Sequence, residues 1–239
     1  MDSSSIIAFV PCRKGSQRVK QKNIKRFADI EGGLTRIKMQ QLLECDRIDR
    51  IVISTDDEEV IKICEKVLSG TSKSYEIDRR PKELATSETS TDDLIKYVGD
   101  LIPEGNILWT HVTSPFINAD IYADAITVYQ QSKQEKRADS LLTVTKHQKF
   151  YWNSDSNPIN YDRSIEKWPR TQTMDPIYEL NSGIFLCDAS IYRNLKDRVG
   201  KKPVMYELKE RHALDVDWEE DFELAEILWL KNMGKDIKI

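Results

Sequence analysis

The sequence lacks the marks of a membrane, secreted or metal-clustered protein. No apolar run in its 239 residues approaches the roughly 20 residues that cross a bilayer. Residues 1–5 lack the basic and apolar segments of a signal peptide. Its four cysteines contain no CxxC pair, which favours reduced, buried thiols over disulfides or a zinc site. We therefore expect a cytoplasmic protein that does not contact a membrane.

Two nucleotide-binding fingerprints and a strong charge imbalance are also missing. Neither GxxxxGK[ST] nor GxGxxG occurs, so the chain has no Walker A loop and no dinucleotide motif. The 36 basic and 40 acidic residues give a net charge of −4, which argues against a general nucleic-acid binder. A locally basic pocket remains compatible with this balance.

What the sequence does contain is an alternation of short β-rich runs with amphipathic helical stretches. This alternation predicts one α/β domain over residues 1–239, with a mostly parallel sheet covered by helices. The predicted strands are 6–10, 50–55, 75–77, 106–110, 139–145, 183–187 and 203–207. The predicted helices are 34–45, 58–68, 89–101, 119–131 and 218–233.

The alternation fails between residues 146 and 180. This segment is rich in Asn, Asp, Pro and aromatic residues and has no long helical period. A structureless loop of this length is unusual inside a domain. We therefore interpret 146–180 as an inserted arm of hairpins and loops.

A dense basic loop follows the first predicted strand. It carries seven cations and no acid, with a glycine among them, and its cations are Arg13, Lys14, Arg18, Lys20, Lys22, Lys25 and Arg26. Ligands of open α/β sheets bind where loops leave the carboxyl ends of strands. Cations and backbone N–H groups at such a place neutralise phosphates, so the position favours triphosphate binding over a solvated basic turn.

Several short motifs occur in a fixed order along nearly the whole chain. They begin with PCRKGS at 11–16 and Lys22-Asn23, and continue with VISTD at 52–56 and RPKELA at 80–85. TSP at 113–115, PRTQ at 169–172, NSGIF at 181–185 and LDVD at 214–217 follow. Together they resemble the CMP–acylneuraminate (sialic acid) cytidylyltransferase family. The resemblance implies a three-layer, Rossmann-like nucleotidyltransferase that joins an acidic sugar to CMP from CTP and releases pyrophosphate.

The resemblance also implies roles for the nucleotide-binding residues. The triphosphate ligands would be Arg13, Gly15, Ser16, Lys22 and Asn23. The residues at the cytosine and ribose would be Arg80, Thr89 and Thr91, although Arg80 alone would otherwise be taken for a surface arginine.

The resemblance further implies a magnesium site. Asp215 and Asp217 would hold Mg²⁺, and Arg13, Lys22 and Asp215 would be catalytic. The two acids lie two apart on an extended segment, which aims both carboxylates to one side. Asp217 also fits a capping box over 217–220.

The acceptor side departs from the family pattern. His111 stands where the family has glutamine, and it is either a sugar-binding donor or base, or a packed histidine. Ile117 and Leu180 replace two arginines, which puts the acceptor's identity in doubt. The residues implied at the acceptor are His111, Arg170, Gln172 and Asn181. In the family, the arginine that matches Arg170 reaches a neighbouring subunit's site, so we expect a homodimer.

Rival interpretations stay open on the sequence alone. The same fold can transfer CMP to another 3-deoxy-ulosonic acid or to a phosphonate. A lapsed nucleotide-binding or regulatory protein is a second rival, and a glycosyltransferase with an Asp-x-Asp motif is a third. The basic loop argues against the last two, and the presence of both aspartates argues further against a lapsed protein.

Overall fold

A seven-stranded sheet is the centre of the molecule. The structure, a computed structural model, describes residues 4–15 and 18–233. Within them the strands run in the order β3-β2-β1-β4-β6-β5-β7, and only β6 is antiparallel to its neighbours. Their bounds are β1 Ile6–Pro11, β2 Arg50–Thr55, β3 Ser74–Arg79, β4 Asn106–Thr110, β5 Ser140–His147, β6 Ile177–Asp188 and β7 Pro203–Glu207.

Helices cover both faces of the sheet. Their bounds are α1 Gly33–Glu44, α2 Glu58–Leu68, α3 Thr91–Leu101, α4 Ala119–Gln134, α5 Ala189–Leu195 and α6 Glu219–Met233. Apolar residues of α1, α2, α4 and α6 pack in one core, and those of α3 and α5 pack in another. The predicted three-layer α/β class and the parallel character of its sheet are confirmed.

Strand β1 shows why the sheet needs both layers. Successive side chains of a strand point to opposite faces. Ile6 and Ala8 therefore enter the core under α1 and α2, whereas Ile7 and Phe9 enter the core under α3 and α5. All four are at most 2% exposed. A continuous apolar run of this kind is typical of a strand buried on both faces.

Polar side chains define where the helices begin. Ser90 accepts from the backbone N–H of Asp93 at the start of α3, so this helix begins after the predicted residue 89. The predicted capping box over 217–220 is wrong. Asp221 reaches back instead and accepts from the backbone N–H groups of Asp217 and Trp218. The Asp217 carboxylate is thereby left for other partners.

The predicted arm is shorter than 146–180. Strand β5 extends to His147 and β6 already begins at Ile177, because the two strands pair antiparallel through these ends. The intervening residues 148–176 contain a bridge between Trp152 and Pro158 and a single 3₁₀ turn at Thr171–Thr173. They connect β5 to β6 as an excursion from the sheet.

No helix in the described part of the chain combines the length and apolar content needed to cross a membrane.

Candidate active site

Two adjoining clefts open where loops leave the carboxyl ends of β1, β3 and β4. The first has a volume of about 550 Å³ and the second about 340 Å³. Five residues line both clefts, namely Pro11, Arg13, Ser87, His111 and Ser182. This is the sheet edge at which open α/β proteins bind ligands.

The basic loop is tied to the distant aspartates by one ammonium group. Lys22 is 9% exposed, and its Nζ donates to the carbonyl of Val216 at 2.6 Å and to Asp217 at 3.2 Å. Arg18 forms a second ion pair with Asp217 at 3.2 Å. Both cations line the first cleft beside the two aspartates. The basic loop and residues 215–217 therefore form one charged wall.

The remaining residues of the basic loop shape its backbone. Asn23 donates from Nδ2 to the carbonyl of Arg13 at 3.1 Å, which closes the loop behind the cleft. Gly15 has a φ of +80°, a conformation that favours glycine. Arg13 lines both clefts and forms no ion pair within the described residues. The predicted ligand Ser16 lies outside the described residues.

The two predicted metal ligands meet in the first cleft. Asp215 and Asp217 line it, with buried Val216 between them. Asp215 accepts a hydrogen bond from Thr113, but its Oδ1 is buried without a partner. Burial raises the pKa of Asp215, because a carboxylate loses its hydration there. A cation in the cleft would supply the missing partner.

The described residues contain no cluster of three or more His, Cys, Asp or Glu side chains placed to hold a metal. A metal ion in the first cleft would therefore have two carboxylate ligands from the described part of the protein, Asp215 and Asp217. This pair suits Mg²⁺, which keeps waters and takes substrate phosphates as further ligands.

Arg80 is a buried residue of the second cleft rather than a surface arginine. It is 5% exposed, and it donates from Nε to the Ser54 hydroxyl at 3.0 Å and from Nη2 to the Ser54 carbonyl at 2.6 Å. Burial lowers its pKa. Two fixed donors hold the guanidinium plane, and Nη1 has no bond to the described residues.

Small hydroxyl residues line the second cleft beside Arg80. Thr89 and Thr91 both line it. The hydroxyl of Thr89 donates to the Glu83 carbonyl and accepts from the backbone N–H of Thr86, which holds the loop between Arg80 and α3. The structure thus brings Thr89 and Thr91 to the same cleft as Arg80.

His111 is a neutral hydrogen-bonding group. Its Nε2 accepts from the indole N–H of Trp109 at 3.0 Å, so Nδ1 carries the ring proton. Burial, assisted by the charge of Arg198, lowers the pKa of His111 to about 3. His111 is therefore unsuited as a base at neutral pH, while its position in both clefts leaves it suited to donate a hydrogen bond.

Three predicted acceptor residues lie outside both clefts. Asn181 is buried and donates to the Thr145 hydroxyl at 2.9 Å, whereas the next residue, Ser182, lines both clefts. The cleft contact in this motif is therefore made by Ser182 rather than Asn181. Arg170 and Gln172 are exposed on the excursion and line neither cleft of their own chain.

Among the polar cleft residues to which the sequence assigned no site role are Arg18, Ser87, Ser182 and Arg198. Arg18 lies in the basic loop, and Ser182 lies in the NSGIF motif, so position gave a usable signal for both. Arg198 follows α5 in a stretch without a motif. Ile117 is buried in the core and Leu180 is exposed, so neither position carries a cation into the clefts.

A cationic loop after β1, a carboxylate pair facing it and a buried arginine beside them define a nucleotidyltransferase. The family described as Cytidylyltransferase matches residues 7–235. This chain belongs to that family.

Two curated relatives show which cytidylyltransferases this chain resembles. The chain is 26% identical to the N-acylneuraminate cytidylyltransferase of Escherichia coli over 93% of its own length, but it spans only 51% of that relative. It is 25% identical to the pseudaminic acid cytidylyltransferase of Campylobacter jejuni over 95% of its length and 97% of the relative's. The resemblance to CMP–acylneuraminate cytidylyltransferases is thereby confirmed.

Solved structures share the fold at low identity. A CMP:2-keto-3-deoxy-manno-octonic acid synthetase complexed with CTP superposes with a TM-score of 0.63 at 12% identity, covering 96% of this chain and 100% of that one. A 4-diphosphocytidyl-2C-methyl-D-erythritol synthase from Anaerococcus prevotii gives 0.65 at 14% identity, covering 95% and 99%.

The first expected outcome concerns Arg80. Arg80→Lys keeps a charge but loses the planar fork, so we expect CTP affinity to fall about 10- to 100-fold while UTP affinity changes little. Isothermal titration with both nucleotides measures this. The control is Arg79→Lys, since exposed Arg79 pairs with Glu58 outside the cleft. Equal losses for CTP and UTP would show that Arg80 does not read the base.

The second expected outcome concerns pH. Because the pKa of His111 is lowered to about 3, its imidazole stays neutral from pH 5.5 to 8. The pH profile of kcat/KM should therefore keep the same shape in His111→Gln, which retains a side-chain donor. An acidic limb near pH 6 that is present in the wild type and absent in the variant would contradict the neutral assignment.

Proposed function

We propose that the protein transfers CMP from CTP to an acidic sugar and releases pyrophosphate. The observation that carries the proposal is the hydrogen bond from Lys22 to Asp217, which lies beside Asp215 in the first cleft. It places a cation and two carboxylates in the first cleft, and Arg80 lines the adjoining second cleft. That arrangement suits a triphosphate in the first cleft and its base in the second.

The acidic acceptor is inferred from the relatives. Their names give N-acylneuraminate and pseudaminic acid as the molecules that receive the cytidylyl group. The chain covers 97% of the second relative's length. We therefore infer that it carries out the complete cytidylyl transfer reaction. The panel of nonulosonic sugars in the third expected outcome identifies the acidic sugar that is used.

The chemistry follows from charge. A hydroxyl oxygen of the acceptor attacks the α-phosphorus and forms the new oxygen–phosphorus bond, while the bond to the pyrophosphate oxygen breaks. The proton of the hydroxyl passes to solvent water. Negative charge grows on the α-phosphate oxygens and the leaving group. Lys22 and Arg13 line the cleft as fixed cations, so they stabilise that charge without reorganising. His111 orients the acceptor by donating a hydrogen bond.

Magnesium fits the carboxylate pair. Asp215 and Asp217 would hold it, and the orphaned Oδ1 of Asp215 is the strongest indication. When bound, the ion supplies positive charge to the triphosphate. The ion pairs of Asp217 with Lys22 and Arg18 hold that carboxylate in place beside Asp215.

We also propose a cytoplasmic location. All four cysteines are buried and free, which is the state expected in a reducing compartment.

The third expected outcome tests the reaction and its metal. Pyrophosphate release should require CTP, Mg²⁺ and an acid from a panel of nonulosonic sugars. Asp215→Asn should lose at least about 100-fold of that rate. Its melting temperature should stay equal or rise, because a neutral amide removes a poorly hydrated charge. Asp120→Asn, an exposed change at the start of α4, serves as the control and should keep full activity.

Failure takes two distinguishable forms. Pyrophosphate release by Asp215→Asn at the wild-type rate would place the metal elsewhere. Absence of release with CTP and every acid in the panel would contradict the reaction itself.

We further propose a homodimer in which Arg170 of one chain serves the acceptor site of the other. Arg170 is exposed and lines neither cleft of its own chain. Around it, residues 148–176 expose large apolar side chains, including Ile165 at 84% and Trp168 at 67%. Exposed apolar groups of this kind mark interaction surfaces, and a second copy covers both excursions at once.

The fourth expected outcome tests the shared site by mixing two inactive chains. Lys22→Ala and Arg170→Ala should each be inactive, and subunit exchange should restore part of the activity, because one site of the mixed dimer regains both residues. The control is a mixture of Lys22→Ala with Lys167→Ala. It shows the effect of subunit exchange alone, because Lys167 is an exposed residue of the same excursion. An active monomer in sedimentation at assay concentration would contradict the proposal.

A further inference from the structure

Arg198 is a charged side chain held against the aromatic core. It follows α5, and its guanidinium carbon lies 3.7 Å from the ring centre of Phe185 and 5.0 Å from that of Trp109. These rings belong to the neighbouring strands β6 and β4. Stacking of this kind covers the faces of a guanidinium and leaves its in-plane N–H groups as donors.

No carboxylate neutralises this guanidinium within the described residues. Its guanidinium contacts two aromatic rings there and interacts at longer range with Tyr192 and Asp197. The Asp197 side chain itself accepts from the backbone N–H groups of Arg198 and Val199. Burial lowers the pKa of Arg198, but an arginine stays charged at neutral pH. A partly desolvated cation without a counter-ion binds an anion strongly.

Arg198 lines the second cleft at the end opposite Arg80. The strand order explains the separation: Arg80 follows β3 at one side of the sheet, whereas β4 and β6 lie beyond β1 on the other. The other cation of this cleft, Arg13, lies on the loop after β1 and is shared with the triphosphate cleft. Arg198 is thus the cation at the end of the second cleft that lies beside β4 and β6.

Two neutral donors accompany Arg198 there. His111 carries its proton on Nδ1, because Nε2 accepts from Trp109. Ser182 contributes a hydroxyl from β6, and both residues line the same cleft. Arg198 and His111 both contact Trp109, one over its ring and the other at its indole N–H, so the two groups lie near each other. The three side chains provide one guanidinium group and two neutral hydrogen-bond donors to this part of the cleft.

We propose that Arg198 binds the carboxylate of the acceptor sugar, with His111 and Ser182 as accompanying donors. The inference rests on the proposed function, since it assigns the acid group of that acceptor to a place in the cleft. A planar carboxylate matches the in-plane fork of a guanidinium in a bidentate pair. The pair fixes the acceptor on the β4–β6 side, across the cleft from the base. Arg198 is therefore the residue that makes the enzyme select acids.

The test compares each acid with its own methyl ester. N-acetylneuraminate, pseudaminate and 3-deoxy-manno-octulosonate are assayed with CTP and Mg²⁺, and the best acid is paired with its ester. The wild type should prefer the acid by roughly 100-fold in kcat/KM. In Arg198→Gln this preference should collapse to within about fivefold, and Arg198→Lys should recover part of it. Arg193→Gln, an exposed arginine change on α5, should behave as wild type.

CTP affinity reports whether the variants fold and where Arg198 acts. Isothermal titration should give the same CTP Kd for the wild type, Arg198→Gln and Arg198→Lys. Weaker CTP binding with an unchanged KM for the acid would assign Arg198 to the nucleotide and overturn the inference. An undiminished preference for the acid in Arg198→Gln would also overturn it while leaving the proposed function intact. No pyrophosphate from any acid with the wild type would overturn both.

Discussion

The buried ammonium of Lys22 is the contact on which the site depends. It joins the loop after β1 to residues 215–217 through the Val216 carbonyl and the Asp217 carboxylate. Few charged side chains are buried to this degree unless they are paired. The pairing fixes the cations of the basic loop and the carboxylates of residues 215–217 relative to each other before any substrate arrives. Such preorganisation is the main way in which a protein stabilises charge that develops during phosphoryl transfer.

A second buried lysine extends this constraint to the loop after β4. Lys38 of α1 is fully buried and donates to the carbonyls of Ser114 and Ile117 and to the Tyr122 hydroxyl. Burial lowers its pKa to about 7. The same loop holds residues 215–217, because the Thr113 carbonyl accepts from the backbone N–H of Val216 and the Thr113 side chain bonds Asp215. Three loops from distant parts of the chain are thus interlocked around the first cleft.

Local patterns predicted the features that depend on neighbours in sequence. The apolar run of β1, the pair Asp215 and Asp217 and the basic loop could all be read directly. Features that depend on tertiary packing could not. Arg198 looks like any polar residue until Phe185 and Trp109 are placed beside it, and Asp217 looked like a helix cap until Asp221 took that role. The arm was drawn too long because its outer residues pair as strands across the excursion.

Phosphorus NMR of one complete reaction tests the central claim most directly. With CTP, Mg²⁺ and the accepted acid, the three CTP signals should be replaced by a phosphodiester signal and a pyrophosphate signal. The pyrophosphate signal should integrate to twice the phosphodiester signal, because one molecule of each product forms per CTP consumed and pyrophosphate contains two phosphorus atoms. That result requires attack of the acceptor on the α-phosphorus, as the positions of Lys22 and the aspartates imply. Conversion of CTP to CDP and inorganic phosphate, or loss of CTP without a phosphodiester product, would contradict the account.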